Sequence, residues 1–310
     1  MELYQLRTFA AVAELGQLTR AAEKLHVSQP AVTAQVKALE EELHVTLFER
    51  TPSGMVLSKA GQRLLAQAEK VLVAVQELKN EASALRGEIT GKASVGTVSD
   101  PEFIHLGEFL SAMVERFPLI EVELHHQISG MAFEGVRDGT LDASFYYGEL
   151  NNPGVAGLRL REIAYCVTAP AAWKERVENA DWSDIATQPW ILTPSVSTHN
   201  QLVRDLFKDH AEELSKVAEA DQESVINSLV ASGVGLSLMR EDKAREAEAA
   251  GEVVIWKKAR PVTNLWFIYP AERAHDPVVR AMVDVMRAVW GLPEKPKKVR
   301  TATRRQAPMD

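Results

Sequence analysis

Between residues 1 and 43 the apolar residues recur at helical spacing in three segments. Residues 1–17 predict an amphipathic helix that covers a helical hairpin. The hairpin follows as LTRAAEKLHVSQPAVTAQVKALEEEL, residues 18–43. Ser28 is suited to cap its second helix, and Pro30 falls in the first turn, where its missing N–H is not needed. His26 is placed to close the turn in the left-handed conformation, in which histidine is enriched. We therefore predict two short helices joined by a tight turn.

The outward face of the second helix is polar and carries few charges. Its amides can pair with adenine and its methyl groups can contact thymine, which is the chemistry of base reading in the DNA major groove. The alternative is an ordinary helical hairpin with a polar outer face. The residues of this face are Gln29, Thr33, Ala34, Gln35 and Lys37.

The next segment, HVTLFERTPSGMVLSKAG (residues 44–61), predicts two short extended pieces around a Pro/Gly turn. A helix–turn–helix followed by such a hairpin is the winged form of the motif. Arg50 would be placed to contact a phosphate or the minor groove. Ser58 is placed to cap the helix that follows.

Residues 59–86 predict a long helix without internal proline, whose apolar residues alternate at spacings of four and three after its first turn. A seven-residue repeat of this kind needs a partner helix, and a dimer would give a DNA reader two half-sites. The alternative is that the repeat packs against the core of the same chain. The residues of this predicted dimer seam are Leu64, Ala68, Val71, Val75, Leu78, Ala82 and Leu85.

From Lys92 onward, strand patterns alternate with helix patterns, which predicts parallel sheets with helices on their faces. The order favours two similar α/β lobes with crossing connections, and a ligand cleft between them. The last helix would return to the first lobe. Strands are predicted at 93–98, 120–124, 141–146, 190–192, 234–239, 253–256 and 265–269, and helices at 101–117, 131–138, 198–209, 223–232 and 277–290.

Composition agrees with a soluble, multidomain protein: 310 residues, of which 46% are hydrophobic and 25% charged. No signal peptide or membrane segment is recognisable, and one cysteine cannot form an internal disulfide, so we expect a cytoplasmic location. The net charge of −8 does not suggest a nucleic-acid binder. Residues 1–63 carry seven basic and seven acidic side chains, so any DNA contact depends on their placement rather than their sum.

Catalytic and metal-binding patterns are missing from the sequence. It contains no phosphate loop and no nucleophile motif, so we expect neither an enzyme nor a cofactor. Four histidines, His105, His125, His126 and His199, lie on different predicted elements without a helical i, i+4 pair, so no metal site is expected. Cys166 lies in an apolar run and is expected to be buried and structural.

The run AAEKLHVSQPAVTAQVKALEEELHVTLFER, followed by TPSGMVLSKAG, resembles the LysR-type transcriptional regulators. The resemblance covers nearly the whole chain to Trp290 and is most specific over residues 18–65. It implies a sequence-specific repressor or activator, a homotetramer built as a dimer of dimers, and RNA polymerase as a partner if the protein activates. It also implies a domain like a periplasmic binding protein, with a co-inducer between its lobes.

The resemblance also implies the DNA contacts. The target is expected to be the family's interrupted palindrome with a T-N11-A core. The near-zero charge of the DNA-binding segment departs from what a DNA binder usually carries, so few phosphate contacts are expected. The matching residues are Ser28, Gln29, Pro30, Thr33, Gln35 and Lys37 in the recognition helix, and Arg50 and Ser53 in the wing.

Turns from strand to helix bring backbone N–H groups to the predicted cleft, which favours a carboxylate or phosphate on the effector. Simple helix capping by Ser and Thr is the alternative. Three nearby side chains, Asp100, Glu102 and His105, would either weaken anion binding or select a ligand that bears an amine. The predicted effector-binding residues are Thr97, Ser99, Gln127, Ser129, Tyr147, Ser197 and Thr198.

The predicted domains are a winged helix–turn–helix at 1–58, a linker and dimerisation helix at 59–87, and an effector-binding domain at 88–292. Within the latter, lobe I covers about 92–160 and 268–292, and lobe II about 161–267. Residues 293–310 form a basic tail expected to be disordered. Two other functions stay open: a small-molecule-processing enzyme with an accessory DNA-binding head, and a ligand-independent architectural DNA-binding protein. The missing catalytic groups disfavour the first, and the long two-lobed region disfavours the second.

Overall fold

The computed structural model describes residues 1–51, 54–85, 88–98 and 100–293. Residues 86–87, at the end of the predicted linker helix, and 294–310 of the predicted tail lie outside these ranges, as do Pro52, Ser53 and Ser99. Three helices and a two-stranded hairpin form the N-terminal head. They are α1 (Leu3–Leu15), α2 (Leu18–Leu25), α3 (Gln29–Leu43), β1 (Phe48–Thr51) and β2 (Gly54–Leu57).

The local signals in the head act as the sequence predicts. The Ser28 hydroxyl accepts a hydrogen bond from the Ala31 N–H at 3.4 Å, and His26 adopts the left-handed conformation with φ of 55°. The Gly54 φ of 139° favours glycine, and a Cβ at this position would overlap the Gly16 carbonyl oxygen. The hairpin can therefore lie directly against the turn between α1 and α2.

A single long helix, α4 (Lys59–Ala84), leaves the head. The Ser58 hydroxyl accepts from the Gly61 N–H at 2.9 Å and so caps it, as predicted. Lobe I follows with β3 (Gly91–Thr97), α5 (Leu106–Arg116), β4 (Ile120–His126), α6 (Ser129–Arg137) and β5 (Ala143–Tyr147). The predicted start of α5 at Pro101 was wrong: Asp100 and His105 have φ of 64° and 54°, so residues 101–105 form turns and the helix begins at Leu106.

The long strand β6 (Val155–Pro170) then carries the chain into lobe II. Lobe II begins with two short helices, α7 (Lys174–Glu178) and α8 (Trp182–Ala186). Strands and helices then alternate: β7 (Pro189–Leu192), α9 (Thr198–Leu206), β8 (Ser215–Glu219), α10 (Glu223–Ala231), β9 (Ser237–Arg240), α11 (Glu241–Ala249) and β10 (Val253–Trp256). Four elements of lobe II were not predicted from the sequence. The helices α7 and α8 are only five residues long each. β8 and α11 lack apolar periodicity: α11 buries only Ala244, and no residue of β8 is fully buried.

A second long strand, β11 (Val262–Pro270), returns from lobe II to lobe I, and α12 (Pro277–Val289) packs against α5 and β3. The return of this last helix is as predicted. Its core contacts include Met282, which is fully buried in the same cluster as Phe109 and Phe267. None of the helices in the described ranges is long and apolar enough to cross a membrane.

Strand direction differs in part from the prediction. β3 pairs with β4 and β5 in parallel, but β11 runs antiparallel to both β5 and β6. The result is a mixed seven-stranded sheet in the order β10-β6-β11-β5-β3-β4, with β9 also paired to β6, so that it extends through both lobes. The apolar pattern of a strand does not state its direction, and the two longest strands cross between lobes in opposite senses.

Candidate DNA-reading surface and interlobe cleft

The exposed face of α3 carries the predicted base-reading side chains. Val32, Val36 and Leu39 on its other face are buried in the core of the head. Gln29 is exposed and its amide donates to the Thr33 hydroxyl at 3.1 Å, while that hydroxyl donates to the Gln29 carbonyl at 3.1 Å. The two side chains therefore form one polar patch, with an amide directed away from the core.

The other predicted DNA contacts are placed differently from one another. Gln35 is half-buried, and its side-chain oxygen accepts from the Thr8 hydroxyl at 2.5 Å, so it also ties α3 to α1. Lys37 is exposed and lies 3.5 Å from Glu41, one turn along. Arg50 is exposed on β1, in the hairpin beside α3. Ser28 and Pro30 shape the start of the helix.

A carboxylate that sequence reasoning missed fixes the hairpin relative to α3. Glu40 lies on α3, and its Oε1 accepts from the backbone N–H groups of Leu47 and Phe48 at 2.6 and 3.2 Å. Leu47 directly precedes β1, and Phe48 is its first residue. In the sequence Glu40 is one of three consecutive glutamates, and nothing in that run distinguishes it from its neighbours.

We expect Glu40→Ala to loosen this junction. Hydrogen bonds from backbone N–H groups to a carboxylate contribute about 1.5–3 kcal/mol, and both donors would lose their partner. Hydrogen exchange at the Leu47 and Phe48 amides should accelerate by about tenfold or more. Glu41→Ala, which removes only the exposed pair with Lys37, is the matched control and should change stability by about 0.5 kcal/mol or less. Equal exchange rates in both variants would contradict this role for Glu40.

The predicted dimer seam on α4 divides into two parts. Ala68 is buried and Leu64 half-buried in the core of the head. These two residues therefore pack within their own chain, which was the alternative to a dimer contact. Further along, Val71, Leu78 and Leu85 are 42%, 71% and 83% exposed. Ala82 is exposed and Val75 half-buried. The helix thus presents an apolar stripe that this chain leaves uncovered.

Between the lobes lies a cavity of about 730 Å³, including its open mouth. One described residue of the prediction does not line it. Thr97 is buried in β3, where its hydroxyl donates to the His125 carbonyl at 3.4 Å, and Ser99 lies outside the described residues. The structure does place the other five predicted effector residues in the cavity wall: Gln127, Ser129, Tyr147, Ser197 and Thr198.

Two hydroxyls in the wall already have structural partners. The Ser197 hydroxyl accepts from the His199 N–H at 3.2 Å and caps α9. The Thr198 hydroxyl donates to the Tyr147 carbonyl at 2.5 Å, which links lobe II to lobe I. Helix capping and lobe bridging therefore account for part of the pattern that suggested ligand contact.

Three ionisable side chains of the cavity wall, His199, Tyr147 and Tyr165, are uncharged near neutral pH. His199 lies 2.9 Å from the Leu238 carbonyl through Nε2 and 3.5 Å from the Thr193 hydroxyl through Nδ1. Burial lowers the pKa of His199, although the hydrogen bond to Leu238 opposes the shift, so the imidazole is uncharged near neutral pH. Burial also raises the pKa of Tyr147 and of Tyr165, which keeps both hydroxyls protonated. Sequence reasoning did not identify Tyr165 or a ligand role for His199.

At the rim, one buried guanidinium holds the lobes together. Arg240 is 3% exposed and binds Asp100 of lobe I at 2.7 Å, Asp242 at 2.7 Å and Glu223 at 3.4 Å. Its guanidinium carbon lies 3.6 Å from the centroid of the Phe103 ring. Asp100 was expected to weaken anion binding or to select a ligand that bears an amine, but its charge is paired with this arginine.

The lobes also touch at backbone level. A Cβ at Gly130, in the first turn of α6, would overlap the carbonyl oxygen of Val196 in lobe II. Glycine at this position therefore permits the close approach of the lobes on one side of the cavity, while Arg240 and Asp100 join them at the rim.

The described residues offer neither a reactive thiol nor a metal-binding cluster. Cys166 is buried, and burial raises the pKa of its thiol, which opposes a nucleophilic role. Within the described ranges, no group of three or more His, Cys, Asp or Glu side chains is arranged to hold a metal ion.

A winged helix–turn–helix head, a long linker helix and a two-lobed domain around a cavity define a DNA-binding transcriptional regulator with an effector-binding domain. Residues 3–62 match the family model described as bacterial regulatory helix-turn-helix protein, lysR family, and residues 86–291 match the LysR substrate binding domain. The chain belongs to the LysR-type transcriptional regulators.

Three similar proteins illustrate the relationship. A probable hydrogen peroxide-inducible genes activator of Streptomyces viridosporus is 38% identical over 168 residues, which is 54% of each chain. The regulator ClcR of Pseudomonas putida is 31% identical over 79% of this chain and 84% of its own. A structure of full-length CbnR with its target DNA is 25% identical, with a TM-score of 0.59 over 93% of this chain and 100% of that one.

Proposed function

We propose that this chain regulates transcription in the cytoplasm by binding an interrupted palindrome of the T-N11-A type through paired α3 helices. The exposed stripe on α4 would join two chains, and two dimers would form the tetramer. A small effector, held in the interlobe cavity, would change how the paired heads sit on DNA. If the bound protein activates transcription, RNA polymerase is a further partner. No enzymatic step is part of this proposal.

The observation that carries the proposal is the polar patch formed by Gln29 and Thr33. An exposed amide one turn from a hydroxyl and a methyl can satisfy a base edge, and the patch lies opposite the buried face of α3. Arg50 on the neighbouring hairpin, with Ser53 beyond it, would supply backbone or minor-groove contacts, and Lys37 a phosphate contact. Gln35, whose oxygen is bonded to Thr8, would help to orient the helix.

The double variant Gln29→Ala with Thr33→Ala should lose discrimination and keep nonspecific binding. A good amide contact to a base contributes about 1–3 kcal/mol of discrimination, or about 5- to 150-fold in affinity. The measurement is a fluorescence titration with the chain's own upstream DNA and with a scrambled duplex, each at two salt concentrations. Binding to the scrambled duplex should be unchanged and remain salt-sensitive.

Gln201→Ala is the matched control for that experiment. Gln201 is an exposed glutamine on α9 that bonds Asp205 one turn along, so it reproduces the local arrangement far from α3 in the chain. Its replacement should leave both titrations unchanged. An equal loss of specific and scrambled binding in the double variant would show that α3 supports the head without reading bases.

A further inference from the structure

We propose that the effector carries a protonated amine together with a carboxylate, and that Glu223 of the cavity wall receives the amine. The inference rests on the proposed function, because it takes the interlobe cavity to be the effector site. It assigns the ligand to the class of free amino acids and similar amino carboxylates.

The first support is the charge of the cavity wall. Among the described residues that line it, two are carboxylates, Asp221 and Glu223, and none is a lysine or arginine. His199 is half-buried and uncharged, and His126 lies at an exposed position. A ligand with negative charge alone would face two like charges, the exposed Asp221 and the half-buried Glu223, which is unfavourable. An ammonium group would compensate them.

The second support is the incomplete bonding of Glu223. One carboxylate oxygen lies 3.4 Å from an Arg240 nitrogen, and the other, Oε1, is buried without a hydrogen-bond partner among the described residues. A buried acceptor without a donor is costly, and the cost is larger for a charged group. Burial accordingly raises the pKa of Glu223, against the opposing effect of Arg240. An ammonium N–H in the cavity would supply the missing donor.

The third support concerns the opposite charge of the ligand. Ser129 and Thr198 both line the cavity and are the first residues of α6 and α9. At α6 the preceding residue is Ile128, which gives no side-chain cap to the first-turn N–H groups. A ligand carboxylate can accept from those groups and is favoured by the helix dipole. The two halves of an amino carboxylate therefore have separate places in one cavity.

The ligand test uses the full-length protein and matched pairs of probes. Each proteinogenic L-amino acid is compared with its 2-oxo acid, which keeps the side chain and carboxylate and lacks the amine. At least one amino acid should raise the melting temperature by mass action, and calorimetry should show at least tenfold weaker binding of its 2-oxo acid. A 2-oxo acid that binds as tightly as its amino acid would overturn the proposal, and so would the absence of a shift with every amino acid.

Two variants then separate Glu223 from its surroundings. Glu223→Gln keeps the size of the side chain and should weaken the best amino acid at least tenfold. Asp242→Asn also removes a charge from Arg240, but Asp242 does not line the cavity, so binding should be retained. A cooperative unfolding transition checks the fold of each variant. Equal affinity of Glu223→Gln and wild type would overturn the assignment.

The proposed function fails in a different way. If the wild-type protein does not prefer its upstream DNA to a scrambled duplex, the regulatory proposal is wrong whatever the cavity binds. If it does prefer that DNA and only 2-oxo acids or other simple anions stabilise it, the effector class alone is wrong.

Discussion

The double variant Val71→Asp with Leu78→Asp should be monomeric and should bind its DNA target far more weakly than the wild type. Both side chains lie on the exposed stripe of α4, where Leu78 is 71% exposed, so the single chain loses little packing. Two carboxylates would be buried without partners in a paired helix, which is strongly unfavourable. Joining two heads raises their combined affinity by about 10²- to 10⁴-fold, and this gain would be lost.

Sedimentation velocity and a DNA titration at the same protein concentration measure the two effects. The control variant places Asp at Ala66 and Lys79, two exposed positions of α4 outside the stripe, and should stay dimeric. Leu64 and Ala68 are unsuitable for this test, because they pack in the head and their replacement would unfold it. A dimeric Val71→Asp, Leu78→Asp variant would mean that the chains associate through another surface.

Arg240→Ala should be among the most destabilising single changes in the effector-binding domain. It leaves Asp100, Glu223 and Asp242 close together without their shared cation, and removal of one partner from a buried ion pair costs about 3–5 kcal/mol. The cation over the Phe103 ring is lost as well. Denaturant unfolding at pH 7 measures the change.

The pH dependence of the unfolding free energy of the Arg240→Ala variant tests whether the unpaired carboxylates cause the loss of stability. Burial already raises the pKa of Glu223 in the intact protein, and loss of the arginine should raise it further. A carboxyl whose folded pKa exceeds its unfolded pKa binds more protons when folded, so stability rises as pH falls through the folded pKa. The deficit of the variant relative to wild type should therefore shrink as the solution is acidified below neutrality.

Arg245→Ala is the control, since Arg245 lies on α11, is 68% exposed and pairs with Glu241. An exposed pair of this kind contributes about 0–1 kcal/mol. If Arg240→Ala were no more destabilising than Arg245→Ala, the carboxylates at the rim would be solvated by other means and the lobes would not depend on this arginine.

The head could be predicted closely because its signals are local. Ser28, Pro30 and His26 each act within one turn of the residue that they affect, and the apolar spacing of α1 to α3 states which face is buried. Glu40 could not be found in this way, since its partners lie seven and eight residues further on, across a loop. No spacing rule connects a glutamate to amides in that segment.

In the cavity, too, some residues could be predicted from the sequence and others could not. Gln127, Ser129 and Tyr147 were located because the ends of parallel strands meet at one edge of a sheet. Thr97, in contrast, does not reach the cavity, because it is still within β3, where its side chain is buried. Arg240 was missed because its ion pair with Asp100 joins residues 140 positions apart, and only the folded arrangement of the two lobes brings them together.

The two crossing strands restrict how the lobes can move. β6 and β11 pair over nine registered positions, with an irregularity between Leu265 and Trp266. Because these strands run unbroken from one lobe to the other, the lobes cannot slide past each other, and widening the gap requires the paired ribbon to bend. The stiffness of this short ribbon, as well as the contacts made by the ligand, would then determine how much effector binding in the cavity changes the binding of DNA by the heads.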